Sequence, residues 1–589
     1  MEVWRLFRLA RYLKEFKVNV TVGPLCKLTE AVFELIVPLV MAKIIDVGIA
    51  NGDTGYIWRY GLILVLLAVL GLTFALICQY MASVCSQGVG TRMRADLYTH
   101  INTLSYKELD NLGTAALTTR ITNDVNQVQT AVAMLIRLVI RAPFLVIGST
   151  VMSVAISPRL SLIFFGAMAV IVAVMYPVMK VTVKLFKKQQ RSLDDISGIT
   201  RENLSGVRVV RAFSRQEHEK ERFEQSTEEY REFAVAAGRI NALLNPAVFV
   251  AVNVAYLLIV WLGGKFTGAG IDGLTQGLVI ALVNYMTQIS LALVVVANLV
   301  TLFTKAAASA ARINEIFDMT PSAVGAESSP KQDKNAPAIE FDNVNFSYIG
   351  GERALEDISF KLGRGETLGI IGGTGSGKTT LINLMCRFYD CDSGSVKING
   401  ADVRDYPTKE LRGMIGIVPQ KAELLSGTLR ENMTMGRGDI SDERIQSALE
   451  TAQAKEFTDT LDGGLDAKIL QGGKNFSGGQ KQRLTIARAI AQASNILILD
   501  DSSSALDYAT DAKLRAALSE LDVTCVIVSQ RANSILHADK IIVLDDGRAV
   551  GIGTHSELLK SCEVYREICL TQYTEEELRE HEREAANHD

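Results

Sequence analysis

At 589 residues the chain is too long for one compact core and suits two or three domains. Hydrophobic residues make up 48% and the mean hydropathy is +0.19, between a soluble enzyme and a pure membrane bundle, so a mixed chain is expected. A net charge of −4, from 61 basic and 65 acidic residues, excludes a global basic field for nucleic acid; eight cysteines without a CxxC pair argue against a metal or disulfide framework.

In chain order, residues 1–17, MEVWRLFRLARYLKEFK, interleave Trp4, Phe7 and Leu9 with Arg5, Arg8, Arg11 and Lys14. They lack the uninterrupted apolar run of a signal peptide and predict an amphipathic helix on the membrane surface. Residues 18–305 then hold six long apolar stretches, at roughly 18–48, 57–84, 128–156, 160–184, 243–267 and 275–303. Each can supply the ~20 residues that a span needs. The second contains GLILVLLAVLGLTFALICQYM, without a single charge.

The first, third and fifth connections are short. The second and fourth are long and polar and carry Arg92, Arg94, Lys107 and Arg120, then Lys184, Lys187, Lys188 and Arg191. The excess of cations places these loops and both termini in the cytoplasm of a multi-pass plasma-membrane protein. Their length predicts helices continuing well below the bilayer. Residues 306–338 change composition, with TPSAVGAESSPKQDKNAPA reading as a linker. Residues 339–573 alternate apolar runs, glycine turns and helical patterns, as an α/β domain does. Residues 574–589 form a charged tail with no function assigned.

Within the α/β region the apolar run ETLGII leads into Gly372-Gly373-Thr374-Gly375-Ser376-Gly377-Lys378-Thr379-Thr380. This is a phosphate-binding loop in its required strand–loop–helix setting. Its glycines let backbone N–H groups surround phosphate, Lys378 neutralises oxygens, and the Thr379 hydroxyl can ligate Mg²⁺. Further on, Phe476-Ser477-Gly478-Gly479-Gln480 opens a helical run, a second potential anion site. Then comes ILILDDSSSALD, a buried strand ending in Asp500 and Asp501.

P-loop, SGGQ, ILILDD and SALD in this order resemble the ATP-binding cassette (ABC) family, and six spans ahead of them resemble a type IV exporter half-transporter. The resemblance covers nearly the whole chain. It implies a six-helix all-α transmembrane domain followed by a cytosolic α/β P-loop nucleotide-binding domain, with ATP and Mg²⁺ as cofactors. It makes Tyr348 the aromatic that stacks on adenine, Gln420 a glutamine touching Mg²⁺, and Asp500 a member of the metal shell with Thr379. Asp507 becomes the aspartate facing the opposite cassette. LSYKELDNLG and LSGVRVVRAFSRQE are where the resemblance puts the short coupling helices, one of them seated on a partner's cassette.

Three positions depart from the family pattern. The catalytic carboxylate is Asp501 rather than Glu. Gln530 stands where a γ-phosphate-contacting histidine is expected, and Gln471 where exporters often have Glu. Removing one methylene retracts the carboxylate by about 1.5 Å, and a misplacement near 1 Å can slow chemistry about a hundredfold. Gln530 can donate a hydrogen bond but cannot carry a proton. With the signature Ser477–Gln480 intact, the pattern resembles the degenerate-site subunit of bacterial heterodimeric multidrug exporters. Its expected partners are an unlike half-transporter with the competent Glu and His, the bilayer, and a small amphipathic substrate. A homodimeric slow exporter and a nucleotide-gated channel or regulatory subunit are the rival readings.

For substrate contacts the first span offers Lys27, Glu30 and Glu34 on one helical face. Intramembrane charges are expensive and turn toward a cavity or a partner. Glu30 and Glu34 are candidates to attract cationic substrates; the alternatives are intrahelical pairing with Lys27, a position at the wet inner end of the span, or neutralisation by Arg137 and Arg141. Asn245, Asn284 and Gln288 are further cavity candidates, beside Asn241 and Asn253, although such residues more often join helices.

Overall fold

The computed structural model describes residues 8–574 apart from 324, 334, 349, 350, 352, 494, 503 and 504. The first part of the expected surface helix, nearly all of the charged tail, and Ser503 and Ser504 of the ILILDDSSSALD stretch lie outside the described residues. The chain divides into two compact units: Met1–Asn102 with Ala115–Asp318, and Thr103–Thr114 with Met319–Asp589.

The first unit is helical. Its long helices are α1 (Lys17–Lys43), α2 (Thr54–Thr103), α3 (Thr114–Ile156), α4 (Pro158–Ser205), α5 (Gln216–Gly268) and α6 (Gln276–Asp318). The five from α2 to α6 are long and apolar enough to cross a membrane. α1 is not among them, because Lys27, Glu30 and Glu34 interrupt its apolar sequence. The helices outrun their apolar stretches at the polar ends, as the long connections predicted. α6 also extends through residues 306–318, where the sequence reading began the linker. Those residues, AAASAARINEIFD, contain no helix breaker, and Ala306, Ala310 and Ile313 are fully buried.

Three π-helical turns, at Ile44–Ile49, Arg120–Asp124 and Leu135–Val139, break the regularity of the bundle. The second aims Asp124 inward, where Ser309 and Arg312 of α6 both donate to its carboxylate. α1 and α6 approach closely at Gly277, where a Cβ would stand 2.4 Å from the Ala42 carbonyl oxygen. One apolar core joins α1 and α3–α6 through Leu35, Leu145, Phe164, Ile171, Ile259 and Tyr285. The Tyr285 hydroxyl donates to the Leu35 carbonyl at 2.6 Å, so the one polar atom of this buried ring is satisfied.

Ahead of α1, Ala10–Phe16 is a 3₁₀ helix packed on its neighbours. Leu9 and Tyr12 are buried, Tyr12 donates to Asp96 at 2.8 Å, and Arg8 forks onto Asp318 with two 2.8 Å bonds. Arg11 and Lys14 remain outward.

The second unit is α/β. β1 (Ile339–Ser347) and β2 (Arg353–Leu362) pair antiparallel, and with β4 (Ser393–Ile398) and β5 (Ala401–Asp402) form a four-stranded sheet. The main sheet uses β3 (Thr367–Gly372), β6 (Ile415–Val418), β9 (Ile496–Asp500), β10 (Thr524–Val528), β11 (Lys540–Asp545) and β12 (Arg548–Gly553). Their order is β12-β11-β3-β10-β9-β6, parallel except for β12. β7 (Gly427–Thr428) and β8 (Lys468–Ile469) make a small separate pair. The runs ILILD and TCVIV are nearly continuous aliphatics because both faces of these strands are covered.

Both expected coupling positions are short helices, Tyr106–Leu112 and Val207–Ala212. The first is closed by a capping box between Ser105 and Glu108, and it belongs to the second unit.

Candidate nucleotide site

β10 lies between β3 and β9, so three parallel strands deliver their C-terminal ends side by side. In such sheets ligands bind beyond the carboxyl ends of the strands. β3 ends in the P-loop, β9 in Asp500 and Asp501, and β10 in Ser529 and Gln530. Val528 is opposite both Ile370 and Asp500 in register, Ser529 N–H donates to the Ile370 carbonyl at 3.1 Å, and Asp501 N–H to the Val528 carbonyl at 2.9 Å. Residues more than a hundred positions apart in sequence are thereby fixed by ladder bonds.

A cavity of about 610 Å³ opens here, bordered by the P-loop from Thr374 to Thr380 and by Tyr348, Gln420, Asp500, Asp501 and Gln530. Gly372 and Gly373 precede this lining stretch of the loop and do not themselves border the cavity. A Cβ on Gly372 would stand 2.1 Å from the Leu544 carbonyl, and Gly377 holds φ at +100° at the helix start, so neither place accepts a side chain easily. Lys378 Nζ donates to the Gly372 and Gly373 carbonyls at 2.9 and 2.6 Å. Burial lowers its pKa, opposed by the charges of Asp501 and Asp500.

Thr379 Oγ1 donates to Asp500 Oδ2 at 3.3 Å. Asp500 is buried, and desolvation pushes its pKa up; the Thr379 bond and Lys378 pull the other way. Gln530 Nε2 comes to 3.5 Å of Asp501 Oδ2. Tyr348 is 38% exposed, its hydroxyl donating to Thr380 at 3.2 Å and accepting from Asn383 at 3.3 Å, so its ring is available to a ligand rather than lost in a core.

Residues 20–293 match the family model of the ABC transporter transmembrane region and residues 355–504 that of the ABC transporter. An uncharacterised ABC transporter ATP-binding protein of Mycobacterium tuberculosis is 35% identical, over 96% of this chain and 97% of its own. The chain belongs to the ABC transporter family. It is 36% identical to an uncharacterised ABC transporter ATP-binding protein of Bacillus subtilis, over 96% of this chain and 98% of that one. It is 30% identical to the ATP-dependent lipid A-core flippase of Vibrio vulnificus, over 97% and 98%. Its fold is shared with a bacterial Atm1-family ABC exporter, with a TM-score of 0.77 at 24% identity, over 96% of this chain and 99% of that one. It is a multi-pass, ATP-hydrolysing membrane transporter of the exporter class, with a cytosolic ABC domain.

Not every expected residue of the ABC domain gathers at this cavity. The signature Ser477–Gln480 is surface-exposed or half-buried and does not line it. Ser477 caps the helix Gly478–Gln492: its Oγ accepts from Gln480 N–H at 3.3 Å, and its own N–H donates to Gln480 Oε1 at 2.9 Å. Asp507 also stands apart, capping the helix Tyr508–Ser519 through two 2.9 Å bonds to Thr510, which hold its pKa down. Gln471 sits in a short 3₁₀ turn before the signature.

Arg353 and Ala354 of β2 line the cavity although the sequence reading missed them, since nothing in their own neighbourhood marks a ligand. Gln572 was also missed. Its amide donates to the Gln530 carbonyl at 2.9 Å and accepts from Ala532 N–H at 2.8 Å, bracing the loop that carries Gln530.

In the transmembrane unit the charged candidates are paired. Lys27 Nζ reaches both oxygens of Glu30 at 2.7 and 2.6 Å, and Arg141 Nη2 reaches both oxygens of Glu34 at 2.6 and 2.8 Å. Gln288 donates to the Glu34 carbonyl at 3.1 Å and accepts from Ser149 at the same distance, tying α1, α3 and α6 together. Asn284 donates to the Ile280 carbonyl of its own helix at 3.0 Å, whereas Asn245 is exposed at the start of the apolar half of α5. The geometry fits pairing and helix joining for Glu30, Glu34 and Gln288 better than ligand contact.

Proposed function

We propose that this chain is one half of a heterodimeric exporter for amphipathic compounds, multidrug in character, holding ATP at its own P-loop and completing a partner's hydrolytic site with its signature. The observation that carries this reading is the pair Asp501 and Gln530, side by side at the phosphate end of the cavity. Neither has the reach or proton chemistry of Glu and His. A second observation supports a partner chain as such. The helix Val207–Ala212 and its flanks leave Val209 61%, Phe213 74% and Leu204 72% exposed, an apolar tip suited to a groove on another chain.

The residues present fit Mg²⁺. Thr379 and Asp500 offer hard oxygen donors within a hydrogen bond of each other, and the Gln420 amide lines the same cavity. Bound there, Mg²⁺ would neutralise phosphate charge and fix the orientation of the β- and γ-phosphates. Lys378 would leave the Gly372 and Gly373 carbonyls for phosphate oxygens. Tyr348 would stack on the purine, and Asp501 would hold a water too far back to activate it well. At the other face, Ser477 and the N–H groups of Gly478 and Gly479 would bind the γ-phosphate of ATP seated on the partner. The lipid substrate named for the Vibrio vulnificus relative supports an amphipathic cargo here as well.

The test is asymmetry in the assembled transporter. Asp501→Ala should leave most ATP turnover, while Gln replacing the partner's catalytic Glu should remove it. Equal loss from both would support a homodimer-like exporter with two working sites. Passive flux gated by ATP binding, without uptake against a gradient in inside-out vesicles, would support the channel reading.

A further inference from the structure

Tyr348 stands between two cavities of the nucleotide-binding unit. One is the nucleotide cavity; the other, of about 370 Å³, is walled on its far side by Lys107, Asp110 and Asn111 of the short helix Tyr106–Leu112. Tyr389 borders this second cavity. Its ring meets Tyr348 edge to face, with centroids 5.3 Å apart at 86°, and its hydroxyl donates to the Asp110 carboxylate. Phe346 touches both rings, at 4.9 and 5.6 Å. The adjacent Phe388 stacks on Tyr106 at 4.4 Å, with the Arg412 guanidinium 5.1 Å from the Phe388 ring.

On its other side the Tyr348 hydroxyl donates to Thr380 in the first turn of the P-loop helix and accepts from Asn383 at 3.3 Å. An unbroken set of contacts thus runs from the P-loop helix, through the ring facing the nucleotide cavity, to the short helix. Each joint is directional: an edge-to-face pair fixes ring angle, and a hydroxyl–carboxylate bond fixes distance. Burial, reinforced by Asp110, raises the Tyr389 pKa above its ordinary value, so the hydroxyl remains a donor throughout the physiological range.

We propose that Tyr389 and Asp110 are positioning residues that tie the purine-stacking Tyr348 to the helix Tyr106–Leu112, so that a purine held in this chain's weakened site sets the seat of that helix. The proposal rests on the reading of Tyr348 as the base-stacking residue. The consequence is specific to a slow site. A nucleotide that stays bound would keep this helix seated while the partner's site turns over, and the transporter would pivot about a fixed side.

The experiment is hydrogen exchange at residues 103–114 of the full-length chain in lipid nanodiscs, without nucleotide, with Mg·ATP, and with Mg·tripolyphosphate, which fills the phosphate cradle without a base. ATP should slow exchange in this segment by roughly tenfold, the scale of one charge-assisted hydrogen bond, and tripolyphosphate should not. Tyr389→Phe keeps the ring and loses the hydroxyl. It should bind ATP within about twofold of wild type, judged against the tenfold effect above, and lose the ATP-dependent protection. Retained protection in Tyr389→Phe, or equal protection by tripolyphosphate, would overturn the relay while leaving the nucleotide site intact. Tyr348→Ala separates the two readings: it should weaken ATP but not tripolyphosphate binding. Unchanged ATP affinity in that variant would overturn base stacking and the relay together.

Discussion

Asp501 holds φ at +46°, a left-handed conformation that Asp adopts more readily than Glu because its short carboxylate can bond locally. The shorter side chain therefore suits the backbone as well as limiting reach. Asp501→Glu with Gln530→His would restore both groups, yet we predict turnover near background at this site when the partner's catalytic Glu is disabled. The partner's signature is expected to be altered too, removing contacts to the same phosphate. Single-turnover kinetics decide it; a rate near that of the intact transporter would locate the whole defect in this chain. Asp500 makes a different prediction. A carboxyl whose folded pKa is raised by burial adds stability below its unfolded pKa, and loses it as pH rises through the folded value. At neutral pH its ionised form is therefore a burden on the fold. Asp500→Asn should raise the Tm of the nucleotide-free protein at pH 7, with the gain shrinking as pH falls, while reducing the additional Tm increase given by Mg·ATP. An unchanged Mg·ATP increment would remove Asp500 from the metal shell.

The helix Gly478–Gln492 is capped by Ser477, the same hydroxyl that our proposal presents to another chain. Losing such a cap destabilises by about 1 kcal/mol, too little to unfold a domain. Ser477→Ala should nevertheless slow turnover of the assembled transporter more than Lys378→Ala, which weakens occupancy only at the slow site. ATPase rates with a parallel Tm distinguish lost chemistry from lost fold. On α1, Glu30→Gln with Glu34→Gln would unpair Lys27 and Arg141. Given the observed pairs, transport of cationic and neutral compounds should fall alike, with lower thermal stability; selective loss of cations would reinstate these carboxylates as substrate ligands. The apolar stretches were legible because a span must be long and nearly chargeless. Helix continuation through 306–318 was overlooked although its alanines favour a helix, because the apolar stretch ends near residue 303 and the linker-like TPSAVGAESSPKQDKNAPA follows closely. The π-helical turns leave no compositional trace, and the Tyr389–Asp110 contact joins residues 279 positions apart.

For the whole molecule, four motifs in fixed order were enough to identify an ABC transporter, since each is local and each strand end is placed by the sheet. The strand order that brings β3, β10 and β9 together follows from long-range pairing, so Arg353 and Gln572 could be found only in three dimensions. Which chain completes the site cannot be read from one sequence; it must be inferred from what this chain lacks and what it retains. That inference has a direct test: steady-state ATP hydrolysis by the purified full-length chain without any partner, with Asp501→Ala as control and ATP occupancy measured in parallel. Our account predicts that both proteins bind ATP and that wild-type turnover does not exceed that of Asp501→Ala. Robust wild-type turnover, abolished in Asp501→Ala, would show that this chain's own site is competent and would contradict the account.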